Sequence, residues 1–119
     1  MYSMDVVAHA RDDLKRSPQV VEGMVRAYME GMAAIHYQKD RAFKAIAKYA
    51  RLQDPKKIDE IYQDSVVYLE KVPRVEPDAV NSILDLMGNK GVAVETFADN
   101  SIVDKIAREG FIDKLYKKR

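Results

Sequence analysis

The chain has 119 residues, 47% of them hydrophobic, with 20 Lys plus Arg against 19 Asp plus Glu and a formal charge of +1. A chain of this length builds one modest core and not a two-lobed enzyme, and its balanced charge removes the electrostatic case for a general nucleic-acid binder. Cysteine is absent, which excludes disulfides, thiolate metal sites and cysteine nucleophiles.

The N-terminus, Met1 to Arg11, has no positive n-region and no long apolar core, so it does not read as a signal peptide. No apolar run approaches the roughly eighteen residues that span a bilayer, and membrane insertion is not expected. As written the chain is expected in the cytoplasm, and in the periplasm or outside the cell if a leader or larger precursor is removed. Residues 1–16 form an arm of open conformation. Met4, Val6 and Val7 suit a strand, Arg11 to Arg16 suit a short helix, and one helix across the whole segment is the other option.

Ser17-Pro18 sets a capping hydroxyl before a proline at the first helical position. Val21, Met24, Val25, Tyr28, Met32 and Ile35 then recur at 3.6-residue spacing, which predicts a helix from Pro18 to Tyr37. Gly23 and Gly31 lie nearly on one face of it, each costing about 1 kcal/mol relative to Ala. Close packing and tolerance in a long helix are both open explanations. Asp40 suits the cap of a second helix carrying Phe43, Ile46, Ala47 and Ala50 and ending near Leu52. Asp54-Pro55 repeats the cap-plus-proline signature before Ile58, Ile61, Tyr62, Ser65, Val66 and Leu69.

Pro73 and Pro77 bracket a rigid link, because the residue before a proline avoids the helical region. A fourth helix carries Val80, Ile83, Leu84 and Met87, with Gly88 as a left-handed stop. Residues 89–99 are the least helical, and Val92 to Val94 suit a short extended piece. Ser101 with Asp104 has capping-box spacing, and Ile102, Val103, Ile106 and Ala107 make a fifth helix that Gly110 breaks. Phe111, Ile112, Leu115 and Tyr116 form a final amphipathic turn or helix, and the charge of Lys117 to Arg119 suits a helix C-terminus. The helices lack a sustained heptad, which argues against a long coiled coil. The expected architecture is all-α: one domain over 1–119 with about five to six helices. It divides into the arm (1–16), main helices (17–88), and a turn with C-terminal helices (89–119).

Chemistry-bearing residues are sparse. His9 and His36 fall short of the three or four ligands zinc wants, and His36 suits the terminal carbonyls of its helix. No HExxH, GxGxxG or Walker pattern occurs, and Gly88-Asn89-Lys90-Gly91 reads as a turn. The carboxylates Asp12, Asp13, Asp59, Glu60 and Asp64 sit in charged surroundings. General acid work needs a raised pKa from burial or a like charge, so they read as solvated. Lys56-Lys57 and Lys117 to Arg119 form no basic stripe. The seven tyrosines are Tyr2, Tyr28, Tyr37, Tyr49, Tyr62, Tyr68 and Tyr116. They suit core positions with hydroxyls reaching the surface, or contacts with a partner. No catalytic, metal or cofactor residue is assigned, no cofactor or nucleic-acid partner is expected, and ligand-binding residues stay unassigned.

One set of segments goes further: Arg11-Asp12-Asp13-Leu14-Lys15-Arg16-Ser17-Pro18-Gln19-Val20-Val21, Ala27-Tyr28-Met29-Glu30-Gly31-Met32, Ala45-Ile46-Ala47-Lys48-Tyr49, Phe97-Ala98-Asp99-Asn100-Ser101-Ile102-Val103 and Gly110-Phe111-Ile112-Asp113-Lys114-Leu115-Tyr116. In order and spacing they resemble the C-terminal part of a substrate-binding protein of ABC importers, of the nitrate/sulfonate/taurine and thiamine-precursor type, over roughly residues 6–118. The resemblance implies the helical C-terminal region of a type II periplasmic binding protein. In such a protein two α/β lobes close on a solute and present it to a permease. Val6 to His9 would then end a strand and Arg11 to Arg16 form the helix after it.

The chain departs from that pattern in lacking the partner strands and nearly all of the usual ligand-contacting sequence. The expected function is therefore a non-enzymatic, truncated solute-binding-protein-like module without a full cleft, related to import of small anionic or nitrogen- and sulfur-containing solutes. A free-standing helical interaction or scaffolding module is the alternative, and a small enzyme the last option. A homodimer or a companion chain would complete the apolar faces. An ABC permease is expected as a partner only for a complete receptor.

Overall fold

Proline starts three of the helices, at Pro18, Pro55 and Pro77, and Gly88 and Gly110 mark the ends of two. In the computed structural model, which describes residues 11–117, seven α-helices follow one another: α1 (Arg11–Arg16), α2 (Pro18–Tyr37), α3 (Lys39–Tyr49), α4 (Pro55–Tyr68), α5 (Pro77–Leu86), α6 (Ser101–Arg108) and α7 (Phe111–Leu115). The count exceeds the expected five to six because the two segments left open, Arg11 to Arg16 and the residues after Gly110, both form helices. No strand occurs among the described residues, and Val92 to Val94 lead instead into a 3-10 turn at Val94–Thr96. The strand expected at Val6 to His9 lies outside the described residues.

The 20-residue helix α2 is the spine, packing against α1, α3, α4, α6 and α7. Its buried residues are Val21, Val25, Met29 and Ala33, four apart. The first three form one cluster with Val103 and Ile106 of α6, and Met29 and Ile106 are wholly buried. Leu14, Val72, Ile102, Phe111, Ile112 and Leu115 close over this cluster, half-buried. Nearer the C-terminal end of α2, Tyr62 of α4 is buried and its hydroxyl donates to the Ile35 carbonyl at 2.9 Å.

The buried face differs from the predicted one. Val21 and Val25 are in the core, but Met24 is 52% exposed and Met29, absent from the predicted face, is fully buried. Steps of four residues advance about 40° each around a helix. The buried stripe therefore winds, from α6 at one end toward α4 at the other, instead of running straight. In α5 the correction is similar. Ala79 and Leu84 are buried while Ile83 and Met87 are exposed, because α5 packs mainly on the 3-10 turn.

Several caps also differ in detail. Ser17 is the N-cap of α2 but its hydroxyl makes no capping bond, since the Val20 N–H it would accept from donates to the Ser17 carbonyl at 3.0 Å, while Ser17 N–H closes α1 on Asp13 O at 2.9 Å. Gln38, not Asp40, opens α3. Its N–H closes α2 on Ala34 O at 2.8 Å while its carbonyl accepts from Ala42 N at 3.1 Å, so one residue ends one helix and starts the next. Asp54 caps α4 as expected, accepting from Lys56 N at 3.0 Å. Gly88 (φ 78°) stops α5 with a Schellman pattern, Asn89 N to Leu84 O at 2.8 Å and Gly88 N to Asp85 O at 3.1 Å.

At α6 the expected Ser101–Asp104 capping box does not form. Asn100 is the N-cap residue, Ser101 N donates to Asp99 Oδ1 at 2.8 Å, and the Asp104 carboxylate instead pairs with Arg74. The Asn100 side chain is free to do something else. Its Oδ1 accepts from Val75 N at 2.8 Å and its Nδ2 donates to Val75 O at 2.7 Å. This two-bond clamp ties the link between α4 and α5 to the start of α6. Removing it strands both backbone groups of Val75, which costs about 2 kcal/mol. Asn100→Ala is expected to lower the unfolding free energy by that amount, read as a lower urea midpoint at unchanged slope, and an unchanged midpoint would show that the clamp contributes nothing.

Candidate functional site

Opposite its buried stripe, α2 carries a second apolar line. Val20 (56% exposed), Met24, Ala27, Gly31 and Ala34 alternate four- and three-residue steps. This places them within about 40° of one line, roughly 160° around from Met29. Ala27 and Gly31 are exposed, Ala34 is half-buried, and a Cβ built on Gly31 meets no atom within 4 Å. The line is large at its N-terminal end and small at its C-terminal end. Beside the small half lies an open groove of about 420 Å³, lined among others by Ala27, Gly31, Ala34, Tyr37, Arg41 and Leu115. The periodicity of this second line is legible in the sequence, but only one face per helix was expected to matter.

Two polar groupings flank the helix bundle. At one end Lys105 Nζ meets Glu22 Oε1 at 2.7 Å and Glu109 Oε1 at 3.5 Å, while Arg26 pairs with Glu109 and lies 4.7 Å from the Phe111 ring centroid. The Arg26 hydrogen bond, against a smaller opposing effect of burial, holds the Glu109 carboxyl below its ordinary range. The hydrogen bond to Glu22 raises Lys105. These exposed pairs orient α6 and α7 on α2 and are worth little singly.

At the other end His36 and Tyr37 sit against Tyr116, with ring centroids 5.9 Å apart in both cases, and Lys71 Nζ lies 4.8 Å from the Tyr116 ring. The Tyr116 hydroxyl is buried with no hydrogen-bond partner among the described residues. Burial, then Tyr37, pushes its pKa up. Burial, then the Lys71 charge, pushes His36 below the usual imidazole range.

The other candidate residues do not converge. Asp12, Asp13, Glu60 and Asp64 are exposed, and the half-buried Asp59 pairs with Lys39 at 3.4 Å. His9, Tyr2, Lys118 and Arg119 lie outside the described residues. Lys56, Lys57 and Lys117 are exposed, and Gly88 to Gly91 form the turn after α5. Tyr62 is core, Tyr28 half-buried, Tyr49 and Tyr68 exposed. Among the described residues no group of three His, Cys, Asp or Glu is placed to hold a metal ion, and no helix is long and apolar enough to cross a membrane. Comparison with protein-family models, with curated proteins and with solved structures finds no match to this chain.

The His36 environment has a consequence for stability. Its folded pKa is depressed, so the unfolded chain binds the proton more readily. Stability is therefore fully present above the unfolded value of about 6.5 and is lost as pH falls through the folded value. Urea midpoints measured between about pH 7.5 and about pH 5.5 are expected to fall, and His36→Gln to flatten that fall. An equal fall in the variant would move the effect elsewhere.

Proposed function

We propose that the chain is a non-enzymatic helical module of the solute-binding-protein type that acts by docking, without a full solute cleft of its own. The exposed apolar line on α2 carries this reading. A helix with apolar stripes on opposite sides has one stripe too many for its own core, and a surplus stripe of this kind marks an interaction surface. The segments that resemble importer substrate-binding proteins support it further. Leu14, Val21, Met29, Ile102, Val103, Phe111, Ile112 and Leu115 all belong to those segments, and all belong to or close over the central cluster.

In this reading the permease is a partner only of a complete receptor, and the role of this chain is to present a packed helical face. Calorimetric titration with nitrate, taurine, alkylsulfonates and pyrimidine thiamine precursors is expected to give no saturable heat. Tight saturable binding of any one of them would contradict the absence of a working cleft.

A further inference from the structure

We propose that the outer face of α3 and the turn joining it to α4 form a basic docking surface for an anionic lipid bilayer, held at the headgroups by charge and without insertion. This surface is separate from the apolar line on α2 and goes beyond the reading above.

The charge of the chain is balanced in total but segregated in place. Residues 41–57 hold six basic side chains, Arg41, Lys44, Lys48, Arg51, Lys56 and Lys57, and one acidic one, Asp54, in a chain whose formal charge is +1. All six are exposed. Arg41, Lys44 and Lys48 fall within about 60° of one line along α3. Arg51 follows in the turn and Lys56 and Lys57 at the start of α4, which packs on α3.

Other cations of the chain are neutralised locally: Arg26, Lys39, Arg74 and Lys105 each bridge to a carboxylate. Among the described residues none of these six does. Asp40 and Glu60 stand one helical turn from Lys44 and Lys56 without bridging them, and Asp54 accepts from the Lys56 backbone N–H. Arg41 donates to the neutral Gln38 Oε1 at 2.7 Å. Like charges gathered in this way raise a local positive potential that an anionic surface relieves.

Two details of the turn agree with a surface role. Arg51 has φ 53° and sits in the left-handed position of a Schellman turn, closed by Leu52 N on Ala47 O at 3.1 Å, where glycine is the unstrained residue. The strained position thus keeps a cation at the tip. Tyr49 is 80% exposed with Lys48 Nζ 5.4 Å from its ring centroid, and an amphipathic ring of this kind suits the headgroup level.

Composition selects among anionic partners. Protein interfaces are depleted in lysine, and four of these six residues are lysine. Single nucleic-acid strands stack on successive aromatic side chains, and Tyr49 is the one exposed aromatic in 41–57. Clusters of about four to eight Lys and Arg on an amphipathic helix are what anionic bilayers attract. The apolar side of α3 is already occupied, with Phe43 packing on Tyr62 of α4, so the contact is electrostatic and peripheral.

Cosedimentation of the full chain with vesicles tests this. Equimolar phosphatidylserine–phosphatidylcholine vesicles are expected to bind it, and phosphatidylcholine vesicles to leave it in solution. Salt at about 1 M, where the screening length is about 3 Å, is expected to release it. Lys44→Gln with Lys48→Gln is expected to weaken binding about thirtyfold, about fivefold for each cation lost, at an unchanged thermal midpoint. Lys90→Gln with Arg108→Gln removes the same charge from exposed cations outside the patch and is expected to retain binding.

No binding to the phosphatidylserine vesicles overturns the proposal. So does an equal loss in the two double variants, or tighter binding to a single-stranded oligonucleotide or to polyglutamate than to the vesicles. None of these outcomes touches the solute titrations, so this surface and the missing cleft stand or fall separately.

Discussion

One helix, α2, carries the core, and the arrangement of the rest follows from that. Val21, Val25 and Met29 of α2 meet Val103 and Ile106 of α6 in the central cluster. α6 comes from the C-terminal part of the chain, so this contact closes a long loop. α1 and α7 then cover the same cluster from its edges, and α3 and α4 complete the C-terminal half of α2 through Tyr62 and its bond to Ile35. A chain of this size has few fully buried side chains to spend. Met29 and Ile106 are the two largest among the described residues, and α1 and α7 are positioned by covering the cluster they centre.

Polar groups hold the frame in register more than they hold it together. The Asn100 amide supplies both hydrogen-bonding groups that Val75 would otherwise lack, and Arg74 beside it reaches Asp104. The Glu22, Arg26, Lys105 and Glu109 network performs the same service on the outside of α2 and α6. Exposed pairs of this kind contribute little each, against the roughly 2–5 kcal/mol at stake when a large buried side chain is cut back. The hydrophobic cluster therefore sets stability, while the polar contacts select one arrangement among several of similar burial.

Local punctuation was legible from residues alone. Pro18, Pro55 and Pro77 start helices where expected, and Gly88 and Gly110 end them in the left-handed region. Those signals are local steric facts that no tertiary contact overrides. Rotation of the helices was less legible. Periodicity finds an apolar face, but α2 has two, and Val20, Met24, Ala27, Gly31 and Ala34 interleave with Val21, Val25, Met29 and Ala33. Which line faces inward depends on where α6 arrives, and that is long-range information. The caps at Ser17 and Ser101 were misread for a related reason. A hydroxyl of the right type stands at each, but neighbouring backbone and Asp99 had already taken its place. The candidate docking face was missed as a site because it contains no titratable chemistry, only a surplus of apolar surface on one helix.

Two of the three methionines of α2, Met24 and Met29, offer the sharpest discrimination, because they share one chemistry and lie five residues apart on opposite lines. Met29 is fully buried and Met24 is 52% exposed. Urea unfolding of Met29→Ala and Met24→Ala should be compared at concentrations where the chain is monomeric. The account predicts a loss of about 2–5 kcal/mol for Met29→Ala and a change within about 0.5 kcal/mol for Met24→Ala. Equal losses, or the larger loss at Met24, would mean that α2 presents the other face to the core and would contradict both the packing and the docking surface derived from it.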